Sequence, residues 1–250
     1  MKLDKDVEIL DGLPLLYIRS LSAMVCSDLH LGYEGVMANR GVFLPKANLK
    51  RIKEIIKKGV GICHPKILIV NGDIKNEFSE VHVEEFNEFR EFANFLKADA
   101  KIERLILIKG NHDNFIDRLK EPLGFEMHSQ EVLMGKYLFF HGEELPRHGD
   151  DAFLVMGHVH PSISIYNKTG PKEKLQCFLY GTDRKGRKII VIPAMNFFAD
   201  GFSVNTERNI GKLAPIFAKD LDIDGMEAFC IGEGEILDFG DIGSLHNIEV

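Results

Sequence analysis

The sequence predicts an α/β fold on three observations. Apolar β-type runs alternate with amphipathic helical stretches through residue 120, the pattern of a sheet covered by helices. From residue 125 the character changes to short strands separated by turns. Clusters of Asp, His and Gly follow directly on five of the runs, and in open α/β sheets chemistry collects at such strand ends.

Taken in order, residues 13–18 and 23–26 are apolar runs separated by Arg19-Ser20, a hairpin or two neighbouring strands. The second run delivers Asp28 and His30. Residues two apart on a chain leaving a strand point the same way. Residues 31–35, Gly41 and Pro45 read as a loop, and 47–58 as an amphipathic helix with Leu49, Ile52, Ile55 and Ile56 inward, ended by Gly59 and Gly61. Lys46, Lys50, Arg51, Lys53, Lys57 and Lys58 are opposed there only by Glu54; a solvated face is the simplest reading of such a run, with a phosphate-backbone contact as the alternative.

Residues 66–70 form a continuous β-type run delivering Asn71-Gly72-Asp73. Residues 83–97 read as a helix with Phe86, Phe89, Ala93 and Leu96 at helical spacing. Residues 105–108 then deliver Gly110-Asn111-His112-Asp113 and a short helical segment near Phe115. Further strands are expected at 131–133, 137–140, 152–156, 162–166, 175–180 and 188–192. A hairpin turn is expected at 182–186, and a last hairpin from 228–231 and 235–239. Residues 200–220 carry no readable pattern. No repeat or linker marks a second domain, so one domain over residues 1–250 is expected.

With 45% hydrophobic residues, the 250-residue chain can build a large core. The net charge of −7 argues against a broad basic surface holding nucleic acid non-specifically. It does not exclude a nuclease, because two divalent cations would add about four positive charges locally. Cys26, Cys63, Cys177 and Cys230 form no CxxC pair and read mostly as buried free thiols of a reducing compartment. Acidic residues within 1–6 and the lack of a long apolar run predict a soluble, cytoplasmic protein without a membrane span.

Asp28, His30, Asp73, Asn111, His141, His158 and His160 supply two carboxylates, an amide oxygen and four imidazoles. This mixed oxygen and nitrogen set suits first-row divalent metals. Seven side chains are too many for one ion, and with Asp73 shared they make two sets of four. Two cations about 3.5–4 Å apart clamp the attacking and leaving oxygens of an in-line displacement and bring a shared water's pKa toward neutrality, giving hydroxide. Phosphorus is the natural target, since its anionic ester oxygens need neutralising. His112, beside Asn111 and without a metal role, is the candidate to protonate the leaving alkoxide, and Asp113 the candidate to hold the His112 ring in its charged form.

The segments SDLHLG, NGD, GNHD, HGE and GHVHP resemble the calcineurin-like metallophosphoesterase superfamily, with its pattern D-x-H, GD, GNH(D/E), H and GHxH. DLHLGYE, GDIKNEF, CFLYG and IIVIPAMN are similar to the prokaryotic SbcD-related, ICC-like phosphoesterases. The resemblance implies a four-layer α/β/β/α sandwich of two mixed β-sheets. It implies one metal held by Asp28, His30, Asp73 and His160, the other by Asp73, Asn111, His141 and His158, and His112 near the scissile phosphate. Related nucleases add a capping domain. Here 27 residues separate Asp113 from His141 and 90 follow His160, so no capping domain is expected.

The expected activity is phosphodiester hydrolysis on a nucleotide or a DNA or RNA end, with manganese first and iron, zinc or nickel as substitutes. A phosphomonoesterase or small-nucleotide hydrolase is the alternative enzyme. A metal-stabilised binding module recruiting DNA-repair partners is the alternative outside catalysis.

Overall fold

The run from Ile67 to Val70 is apolar at every position because it is buried on both sides. In the computed structural model, Ile67 and Ile69 belong to one buried cluster, Leu68 and Val70 to another. The structure describes residues 1–79, 81–166, 173–199, 201–207 and 209–246.

Six strands form the first sheet in chain order: β1 (Val7–Ile9), β2 (Leu16–Ile18), β3 (Ala23–Cys26), β4 (Ile67–Asn71), β5 (Arg104–Ile108) and β6 (Glu126–His128). β1 to β3 pair antiparallel, and β3 to β6 run parallel. The crossovers of the parallel part carry helices α1 (Tyr33–Asn39), α2 (Asn48–Cys63) and α3 (Val83–Ala98), as parallel pairing requires. A turn of 3-10 helix (Ile116–Leu119) and α4 (Lys120–Leu123) lead into β6.

The second sheet contains β7 (Glu131–Met134), β8 (Tyr137–Phe140), β9 (Phe153–Met156), β10 (Pro161–Ile165), β11 (Glu173–Thr182), β12 (Lys188–Val191), β13 (Phe202–Ser203), β14 (Glu227–Ile231) and β15 (Ile236–Asp241). Its order is β13-β10-β11-β12-β9-β8-β7, with β14 also on β11 and β15 on β14. β8, β9 and β12 are mutually parallel, so this sheet too is mixed.

Three apolar clusters separate four layers. Val25, Ile69, Ile106 and Ile108 of the first sheet meet Phe139, Val155, Phe178 and Ile190 of the second. Behind the first sheet, Met24, Leu68 and Leu107 pack on Ile52, Ile56, Phe89 and Phe92 of α2 and α3. Behind the second, Leu154, Leu179 and Val191 pack on residues of α5 (Ile210–Leu213) and α6 (Pro215–Lys219), among them Ile210, Ile216 and Phe217. The order is α/β/β/α. Among the described residues, no helix is long and apolar enough to cross a membrane.

Several local expectations change. α2 does not stop at Gly59 but runs through both glycines to Cys63. A Cβ at Gly59 would lie 2.6 Å from Met24 Sδ and 2.7 Å from Leu15 Cδ1, so this glycine lets the helix rest on the sheet. The stretch expected as a loop after Gly32 contains α1. Three-residue strands β1 and β6 are too short for their periodicity to register. Residues 200–220 contain β13, α5 and α6. All four cysteines are free, Cys63 half-buried and the others buried.

Candidate metal centre

Each expected ligand follows the C-terminal end of a strand. Asp28 and His30 follow β3, Asp73 follows β4, Asn111 follows β5, His141 follows β8, and His158 and His160 follow β9. The two sheets therefore contribute to one place. Side-chain alternation is not what aims these residues, because Asp28, His30, Asp73, His158 and His160 all have left-handed backbone, with φ of 56°, 46°, 52°, 68° and 47°. Each such residue costs about 1–3 kcal/mol, a strain that persists only where surrounding structure enforces it.

The enforcement is visible at the glycines. A Cβ on Gly110 would stand 2.2 Å from Asp73 Oδ1, and one on Gly72, whose φ is 94°, would stand 2.0 Å from His141 Nδ1. Both positions require hydrogen at that place. Asn71 completes the frame. Its amide donates to the carbonyls of Phe140 at 2.9 Å and Val155 at 3.0 Å, tying β4 to the ends of β8 and β9.

The structure brings the seven expected ligands together. Asp28, His30 and His160 converge as one group and Asp73, His141 and His158 as another, while Asp73 also groups with His30 and His112. His160 Nε2 lies 3.1 Å from Asp28 Oδ1. His141 Nε2 lies 3.2 Å from Asp73 Oδ2, from Asn111 Oδ1 and from His158 Nδ1.

Carbonyls fix two of the tautomers. His141 Nδ1 donates to Asn71 O at 2.9 Å, and His158 Nε2 donates to Leu213 O at 3.1 Å. In their neutral forms both rings then turn a lone pair inward, where each meets the other and the oxygens of Asp73 and Asn111. Four acceptors facing one point repel unless a proton or a metal cation lies among them. His30 Nδ1 is likewise buried without a hydrogen-bond partner. The residues present thus fit a group of divalent cations.

Electrostatics put positive charge at the same point: burial would lower His141, but Asp73 and Asp28 outweigh it and hold it well above 6.5, so without a metal a proton on its Nε2 stands where a cation would. Burial pushes His30 down to about 3 and His158 to about 4, so both are neutral donors at ordinary pH. Burial would raise the Asp28 carboxyl, but His160 and His141 outweigh it and hold it at about 2. Asp73 is lowered in the same way, chiefly by His141 against burial, and both carboxylates are anionic.

His112 sits at the rim. Its backbone N–H donates to Asp73 Oδ1 at 2.9 Å, its Nε2 lies 3.9 Å from Asp73 Oδ2, and its Nδ1 faces Asn76 O. The ring lies beside Phe78, with centroids 3.7 Å apart. Asp113 does not hold this ring, contrary to expectation. Its buried carboxylate accepts N–H groups from Gly110 at 2.9 Å, Ile74 at 3.0 Å and Lys75 at 3.2 Å. Asp113 therefore fastens the turn after β5 to the turn after β4, and Asn76 orients His112.

Sequence reading missed Asn71, Asn76 and Glu85 as positioning residues. Glu85 is buried in α3 and accepts the N–H groups of Asn76 at 2.9 Å, Glu77 at 2.6 Å and His82 at 2.8 Å. It thereby sets the Asn76 carbonyl. An acid on the otherwise apolar inward side of the helix was the available signal. The cationic side chains of the nearby loops are engaged with neighbours: Arg40 pairs with Glu77 at 2.9 Å, Lys75 donates to Glu77 O, and exposed Arg147 lies 3.7 Å from Glu144.

The calcineurin-like phosphoesterase family profile matches residues 21–186. No curated protein matches the chain. Among solved structures, the Pseudomonas putida nuclease MPE superposes with a TM-score of 0.64 at 14% sequence identity, covering 92% of this chain and 94% of that one. That likeness is one of fold. The phosphoesterase Yfce from E. coli gives a TM-score of 0.41 at 17% identity, covering 88% of this chain and 98% of its own.

Proposed function

The chain belongs to the calcineurin-like phosphoesterase family, and from that premise we propose that it is a dinuclear metal-dependent phosphodiesterase acting on a nucleotide or a nucleic-acid end. One observation carries this reading: two anionic carboxylates and inward-facing imidazoles converge around Asp73, with one further imidazole, His112, at the rim. Asp28, His30, Asp73 and His160 would hold one cation, and Asp73, Asn111, His141 and His158 the other. Manganese is the proposed metal, as the mixed ligand set accepts several first-row ions and supply decides among them.

Two bound divalent cations supply Lewis acidity, neutralising ester oxygens and making a water acidic enough to attack. The chain does the rest. Asn76 O accepts the His112 Nδ1 proton, which leaves Nε2 as the atom that can carry a second proton to the leaving oxygen. Asp73 fixes the His112 backbone by accepting its N–H at 2.9 Å, and the ring's Nε2 lies 3.9 Å from Asp73 Oδ2. Gly110 keeps Asp73 and His112 in contact by leaving the space a side chain would fill.

The test is a panel of phosphate mono- and diesters offered to metal-stripped protein with and without manganese. Manganese-dependent turnover that favours diesters is expected. Turnover of monoesters alone, or none with a full complement of metal, would overturn the reading.

A further inference from the structure

Helix α2 carries cations on two flanks, and the structure uses them differently. Toward α3, Lys53 pairs with Glu91, and Lys46 and Lys50 share a depression with Glu84 and Glu88. On the other flank Arg51 and Lys58 line a groove of about 700 Å³ together with Lys174, Gln176, Phe197 and Phe198. Among its described lining residues Glu233 is the only carboxylate, with Glu54 nearby on α2. The lining is therefore cationic in a protein of net charge −7.

The aromatic side chains form a series. The Arg51 guanidinium carbon is 4.8 Å from the Phe197 ring centroid, Phe197 and Phe198 are 4.0 Å apart, and Phe198 stacks on Tyr33 at 5.4 Å with planes 12° apart. The groove is built from segments that adjoin the metal centre in the chain. Its wall includes Ser162, two residues beyond His160. Its aromatic segment is fastened by Asn196 N–H to Asp28 O at 3.1 Å and by Phe202 N–H to His160 O at 2.9 Å, and Tyr33 N–H donates to His30 O at 3.2 Å.

Cations beside aromatic faces are the combination that holds single-stranded nucleic acid, phosphates on the charges and bases on the rings. Arg51 and Lys58 are two helical turns apart, about 10 Å along the axis, so they address different phosphates. We propose that this groove binds a single-stranded segment of nucleic acid whose scissile phosphate lies at the metal centre. The inference rests on the phosphodiesterase reading above. It adds where the strand lies and that an unpaired strand is what binds.

The test measures fluorescence anisotropy of a labelled oligothymidylate without added metal, so that cleavage does not consume the probe. Arg51→Glu combined with Lys58→Glu should weaken binding at least tenfold and reduce the slope of log K against log salt by about 1.4. Phe197→Ala should weaken it at least fivefold, and Lys120→Glu on α4 should not. Binding as in the unaltered protein in both groove variants, equal loss in Lys120→Glu, or no binding by the unaltered protein would overturn the proposal. A second arm compares kcat/KM on the oligonucleotide with that on bis(p-nitrophenyl) phosphate under manganese. A lower ratio in Arg51→Glu supports the groove, and an unchanged ratio with both substrates cleaved removes it while the phosphodiesterase reading stands. If neither substrate is cleaved, that reading fails, and the binding measurements decide the groove alone.

Discussion

The Nδ1 atom of His112 faces the carbonyl oxygen of Asn76, so this ring nitrogen must carry hydrogen. The proton that His112 can lend is thereby assigned to Nε2, on the side of Asp73. His112→Ala should lower turnover by about 10²–10⁴-fold while the bound metal content, read by elemental analysis, stays at the wild-type value. Loss of metal in that variant would make His112 a ligand instead.

In the proposed dinuclear centre Asp73 would serve both cations, and its replacement should be felt by both. Asp73→Asn and His141→Ala are expected to lose metal and activity in parallel. Elemental analysis showing full occupancy with activity gone would separate the two properties and contradict the shared role.

Gly110 has no room for a methyl group, since its Cβ would meet Asp73 Oδ1 at 2.2 Å and Asp73 N at 2.6 Å. Gly110→Ala should weaken metal affinity by about 10–100-fold through displacement of a residue that it does not itself replace. Competition with a fluorescent chelator measures this directly.

Asn71→Ala should destabilise the fold by about 2 kcal/mol. The substitution strands the buried carbonyls of Phe140 and Val155 but also removes the amide oxygen of Asn71, which is buried without a partner. Urea unfolding of metal-free protein gives the number free of any contribution from cation binding.

Acid stability has a marker far from the metal centre. Burial would raise the Asp6 carboxyl, but hydrogen bonds from Ser20 and Tyr137 outweigh it and hold it below its ordinary 3.8. A carboxyl depressed in the folded state stabilises above its unfolded pKa and loses that contribution as pH falls through the folded one. Tyr137→Phe should therefore move the acid-unfolding midpoint to higher pH and narrow the difference in stability between pH 5 and pH 2. An unshifted midpoint would remove this linkage.

Most of the strands, the two long helices and the seven clustered side chains were legible in the sequence because each rests on local pattern. Runs such as 67–70 announce a strand buried on both sides, and Asp, His and Asn after such runs announce a centre. The role of Asp113 was not legible, because a carboxylate beside His112 in sequence can turn to Gly110, Ile74 and Lys75 only once β4 and β5 lie side by side. Asn76 and Glu85 escaped for the same reason, acting through a backbone carbonyl and three backbone N–H groups rather than through a motif. Gly59 was misread because its lack of a side chain serves contact with Met24 and Leu15, not a helix end.

The amide of Asn71 and the ligands that follow β8 and β9 add polar links between two sheets that meet across an apolar cluster. The centre is thus also a clasp across the middle of the sandwich. Stripping cations from it should loosen the ends of β8 and β9 against β4, visible as faster amide hydrogen exchange at 140–142 and 156–160 with little change in β1 or β15.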